Sequence, residues 1–176
     1  MRRAILAILL ACSPKPVGPE SAPAVASATP AVPVEKGPPW EFALDPVDKD
    51  FEHVPESQQL AGKRAIVLVT QSFDGASLAA LRTLEPIVSA LPKDTACLLV
   101  AVQPLGDRAI VSMFFDGIKH QCRRAIGDPK RGRLGDLAKI QIVPTVVVLR
   151  KDGTVVGGFG GGFSEKQVRD LLEKAN

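Results

Sequence analysis

Tyrosine is absent, tryptophan occurs once, and aromatic residues make up only 5% of the 176-residue chain. With a formal net charge of +3, the chain lacks both the stacking surfaces and the concentrated positive charge that hold nucleic acid, so no nucleic-acid partner is expected. Cysteine is scarce as well. Cys12, Cys97 and Cys122 are too few for a disulfide scaffold, and their spacing fits no zinc template. The two histidines, His53 and His120, stand far apart, and no metal or other cofactor is expected. No apolar run approaches the ~18 residues of a membrane span. A chain of this length holds one domain and a tail.

What the chain does have begins with an export signal. MRRAILAILLAC, Met1 to Cys12, sets two arginines before an apolar stretch, then a small residue and a cysteine. That is the order of a secretory signal. Leu9-Leu10-Ala11-Cys12 resembles the lipobox of bacterial lipoproteins, which are cut before the cysteine and carry lipid on it. The resemblance implies a signal peptide over 1–11, a lipid on Cys12, and a protein anchored in the bacterial cell envelope facing the periplasm. Ser13, rather than aspartate, favours the outer membrane in a Gram-negative cell. Residues 12–39 then read as the anchor cysteine and a linker. Ser13 to Pro39 contain eight of the fifteen prolines, which remove backbone donors and favour extended chain over a packed core.

The folded domain is assigned to residues 40–176. RAIVLVT (64–70) and TACLLVAVQ (95–103) are β-rich apolar runs suited to buried strands. Between them, Leu78, Leu81, Leu84, Val88 and Leu91 recur at helical spacing over 74–91, with a kink expected at Pro86. A helix is expected over 107–118, a strand at CRRAI (122–126), a loop over 127–132 and a short helix over 134–139. The Asp152-Gly153 turn joins the last two strands into a hairpin. Ser164 and Gln167 form a capping box that opens a final helix. The glycines of GGFGGG lack the Gly-Lys-Ser/Thr of a phosphate loop, and are read as permitting a bulge or close backbone approach. This order specifies an α/β domain: a central mixed sheet with helices on both faces.

The order resembles the thioredoxin-like fold. LAGKRAIVLV, LAKIQIVPTVVVLRKDG and GGFGGGFSEKQVRDLL are similar to its extracytoplasmic, membrane-anchored TlpA/ResA branch, over roughly Phe42 to Lys174. The resemblance implies a cis-proline at Pro144, after Val143 and before Thr145. In that family a reactive Cys-x-x-Cys opens the first helix, and a proline follows five residues after its second cysteine. Counting back from Pro86 places the pair at Leu78 and Leu81, so the thiols are missing. Leucine neither ionises nor forms a mixed disulfide, whereas a thiolate at a helix start is activated by the dipole. His120, Cys122 and Met113 do not replace them as a soft-metal site, since copper-delivering relatives use the same missing pair.

Two functions remain. The first is a redox-inactive domain that binds an envelope protein or peptide through Phe73, Leu78, Val143, Pro144 and Thr145, the Val143 backbone offering a form of strand addition. The second is a thiol–disulfide oxidoreductase working through Cys122, whose thiolate Arg123 and Arg124 would stabilise. Cys97, in a buried strand, reads as a small hydrophobe. A Cys97–Cys122 disulfide is permitted in an oxidising compartment, where it would be structural. Lys119, His120, Arg123, Arg124, Lys130, Arg131 and Arg133 form a second candidate surface, for an acidic partner or anionic lipid.

Overall fold

The computed structural model describes residues 29–32, 37–48, 57–117 and 121–176. The signal peptide, Cys12, most of the linker, His53, Lys119 and His120 lie outside the described residues.

RAIVLVT forms β3 (Arg64–Thr70), buried at every position. It pairs in parallel with β4 (Thr95–Val102) and antiparallel with β6 (Thr145–Leu149). Beyond β4 lies β5 (Arg123–Gly127), also parallel, and beyond that the two-residue β2 (Asp45–Pro46). Beyond β6 lies its hairpin partner β7 (Val155–Gly160), and then β1 (Thr29–Val32). The sheet therefore has seven strands in the order β1-β7-β6-β3-β4-β5-β2. Gly153 adopts φ +83° in the hairpin turn, the left-handed backbone that favours glycine there.

Because side chains alternate along a strand, β3 feeds two cores. Ile66 and Leu68 pack with Leu81, Leu84 and Ile87 of α2 (Gly75–Ser89), Phe115 of α3 (Arg108–Asp116) and Val168 of α4 (Glu165–Lys174). Ala65, Val67 and Val69 face Leu44, Leu137 and Leu60, the last from the single-turn α1 (Ser57–Leu60). The helical cover is unequal: the three longer helices share one face. On the other, the short helix expected over 134–139 is a 3-10 segment, Gly135–Lys139. α2 continues past Pro86, which is exposed. Ser164 and Gln167 make both bonds of the capping box.

The reading of 12–39 as a linker outside the fold needs one correction. Thr29–Val32 add to the sheet as β1, antiparallel to β7. Gly158 and Gly160 of β7 face it across the ladder, and glycine lets another backbone approach closely. A proline such as Pro30 is tolerated on an edge strand.

Candidate functional site

The parallel strands β3, β4 and β5 end on one side of the sheet, and the loops of interest gather there. Gln71–Asp74 leave β3, and Gln103 follows β4. Since β6 is antiparallel to β3, with Thr145 opposite Val69, the approach Ile142-Val143-Pro144 arrives at this same end. Gly161 leaves β7 there as well, and its N–H donates to the Pro144 carbonyl at 2.8 Å. The Val143–Pro144 peptide is cis.

The amino end of α2 is closed by the chain's own polar groups. Asp74 is the N-cap: its carboxylate accepts from the Ala76 N–H at 3.2 Å and the Ser77 N–H at 2.9 Å. The Ser77 hydroxyl donates to it at 2.7 Å, and the Gln71 N–H donates to that hydroxyl at 3.3 Å. The Ser77 hydroxyl holds the Asp74 carboxyl below its ordinary value, the backbone N–H groups adding to this and burial opposing it. A carboxylate thus occupies the place where the helix dipole would stabilise a thiolate. Behind it, buried Ser72 donates from its N–H and its hydroxyl to Gln103 Oε1 at 2.7 and 2.5 Å.

The pair counted back from Pro86 falls deeper than the helix start. The Leu78 N–H already bonds the Asp74 carbonyl within the helix, and its half-buried side chain packs on the core. Leu81 is fully buried, so it contacts no ligand. The residues three apart at the helix start are Asp74 and Ser77.

Of the other expected binding residues, Phe73 stands 82% exposed with φ +68°, a backbone conformation costly for a bulky residue. Val143 is half-buried and Pro144 buried. Among the described residues, no backbone group bonds the N–H or C=O of Val143. Thr145 is fully buried and its hydroxyl donates to the Ile142 carbonyl at 2.5 Å, so it supports the loop rather than lining the surface. Ile142, which sequence reasoning passed over, is 53% exposed beside this loop. Asp74, Ser77 and Gln103 were missed too. For the first two a signal existed: Asp-Gly directly before an apolar helical stripe is an N-cap pattern.

Cys122 is not a free thiol. It is bonded to Cys97, and both are buried. Leu98 of β4 faces Arg123 of β5, so the residue before each lies side by side, at the amino ends of these parallel strands. The length of a strand, on the order of 17 Å, separates the disulfide from the Pro144 end. The basic run is neutralised in part: Arg124 pairs with Asp48 and Asp116, and Arg131 and Arg133 with Asp45. Among the described residues no three His, Cys, Asp or Glu side chains group as a metal would require, and no helix is long and apolar enough to cross a membrane. A cavity of about 240 Å³ lined by Arg64, Ile87, Leu91, Leu172 and Asn176 opens at the opposite end of the sheet from Pro144.

No family model and no curated protein matches the sequence. Solved structures do resemble the fold. A DsbF homologue from Corynebacterium diphtheriae has a TM-score of 0.64 at 14% identity, covering 87% of this chain and 96% of its own. A thiol:disulfide interchange protein DsbE from Chlorobium tepidum has 0.61 at 18%, covering 81% and 99%. The exposed lipoprotein thioredoxin of Streptococcus pneumoniae has 0.60 at 17%, covering 76% and 98%. At such identities the likeness is one of architecture: the chain has the thioredoxin-like α/β fold of these thiol–disulfide proteins.

Proposed function

We propose that this protein is an envelope lipoprotein, anchored through Cys12, whose domain holds an extended protein or peptide segment without reacting with it. The observation that carries the reading is the amino end of α2. There the Asp74 carboxylate, bonded to Ser77, caps a helix start that carries no cysteine. Beside it, Phe73 and Ile142 are exposed and the Val143 backbone groups have no backbone partner among the described residues. Those are the elements of strand addition: main-chain groups for affinity and apolar contacts for selection.

The test is a photo-cross-linking benzoylphenylalanine at Phe73 in the membrane-anchored chain, with Arg82, exposed on α2, as the control position. A discrete adduct from position 73 and none from 82 supports the reading. Insulin reduction by wild type, lost in Cys122→Ser, would overturn it in favour of an oxidoreductase using Cys122.

A further inference from the structure

We propose that the cavity between the carboxyl ends of α2 and α4 is a binding site for a short apolar chain ending in a carboxylate. It lies at the opposite end of the sheet from Pro144 and does not depend on the reading of the Phe73 surface. Its chemistry begins with Arg64, the first residue of β3, which lines the cavity and is only 8% exposed. A guanidinium carries several N–H donors in one rigid fork. Nη2 donates to Asp94 at 2.9 Å and Nη1 to the side-chain oxygen of Asn176. Nε finds no hydrogen-bond partner among the described residues. A buried donor without an acceptor is costly, so this guanidinium is short of acceptors where it stands.

The cavity supplies the rest of the recognition. Asn176 is exposed, and its amide oxygen is a neutral acceptor. A carboxylate brings two oxygens and a charge, and charge-assisted bonds are roughly twice as strong as neutral ones. It can therefore displace the Asn176 amide from Arg64. Beside the guanidinium, Ile87, Leu91 and Leu172 form an apolar wall. At about 240 Å³ the cavity is smaller than the ~300–1,000 Å³ of sites for drug-sized ligands. It holds the volume of about eight water molecules at ~30 Å³ each, enough for a chain of a few methylenes. Some groups oppose an anion: Glu173 lines the cavity, and the carboxyl ends of both helices carry partial negative charge. Two features offset them. Arg64 and Lys151 share the one carboxylate of Asp94, at 2.9 and 3.1 Å, which leaves a positive charge in surplus. Arg169, also on the wall, is engaged by a half-exposed pair with Glu165, four residues before it, which holds it only weakly.

The test is an NMR titration of the full-length chain with hexanoate, hexanol serving as the uncharged probe of equal length. Hexanoate should shift the Arg64 Nε–H and the Leu172 amide saturably and leave the amides of Phe73 and Ile142 in place. Hexanol should bind about tenfold more weakly, the change that loss of a charged hydrogen bond implies. Arg64 is buried, and replacing it can unfold the domain, so the variants are placed at exposed positions of the wall. Asn176→Ala should tighten hexanoate severalfold by removing the internal competitor. Glu173→Gln should tighten it as well, and Arg169→Gln should weaken it. A tripeptide ending in leucine, with its carboxylate free or amidated, identifies the source of the ligand. A free form that binds tighter than hexanoate assigns the site to the end of a protein chain, and a weaker one assigns it to a small free acid. No saturable shift at Arg64, equal affinity for hexanol, or unchanged or weaker binding in Asn176→Ala would overturn the inference.

Discussion

The Ser77 hydroxyl donates a 2.7 Å hydrogen bond to the Asp74 carboxylate, joining the N-cap of α2 to the residue three positions on. Replacing an N-cap aspartate by alanine costs about 1 kcal/mol, so Asp74→Ala should lower the urea midpoint accordingly. The same relationship locates where a redox pair would fit. Asp74→Cys with Ser77→Cys should oxidise under mild conditions to an intramolecular disulfide. Leu78→Cys with Leu81→Cys should instead destabilise the fold by ~2–5 kcal/mol for the buried leucine, leaving a thiol at 81 that resists alkylation. Thiol titration and urea melts on both double variants check this. Ready alkylation at position 81 in the folded state would restore the counting from Pro86.

Acid should weaken the fold partly through Asp94. Its hydrogen bond to Arg64, then that to Lys151, draws its carboxyl down from 3.8 to about 2. A lowered folded-state value stabilises above the unfolded value and is lost as pH falls through the folded one. The Asp94 contribution should therefore be complete above pH ~4 and disappear towards pH ~2. Asp94→Asn should lower the urea midpoint at pH 7 and shallow the decline between those pH values. An unchanged slope would show that the contacts with Arg64 and Lys151 do not favour the ionised carboxyl.

The Cys97–Cys122 bond closes a loop with a sequence separation of 25. Loop-closure entropy puts its contribution at about 3.5 kcal/mol. Cys97→Ala with Cys122→Ala should lose an amount of that order in urea melts, while cross-linking from position 73 stays unchanged. A loss of cross-linking in a variant that still folds would tie the disulfide to the binding surface.

Phe73 combines exposure with a left-handed backbone. That conformation costs a non-glycine residue ~1–2 kcal/mol. Phe73→Gly should then leave the fold as stable or raise its stability by up to ~1 kcal/mol, net of the greater entropy of glycine in the unfolded chain. Binding of a partner segment should fall at the same time. Stability and binding moving down together would make Phe73 a packing residue.

Much of the framework was legible because local chemistry decided it. Ser164 with Gln167, the Asp152-Gly153 turn and the apolar run at 64–70 each name one element, and each element is present. Two features depended on partners distant in sequence, and a third was obscured by a misleading spacing. β1 forms because the glycines of β7 expose a close-approach edge, which a proline-rich composition does not announce. The disulfide depends on the register of β4 against β5, which puts Cys97 beside Cys122. The helix start at Asp74 was readable as a cap, but the spacing from Pro86 pointed elsewhere.

Both borders of the sheet end in a strand that carries a proline: Pro30 in β1 and Pro46 in β2. Proline has no N–H to offer a neighbouring chain, and both strands are short. Sideways growth of the sheet by an incoming strand is thus poorly supported at either border. The Val143 loop, on the end of the sheet rather than its side, keeps main-chain groups with no backbone partner among the described residues. On the reading proposed above, such a domain would hold another chain without offering a border along which its own copies could polymerise.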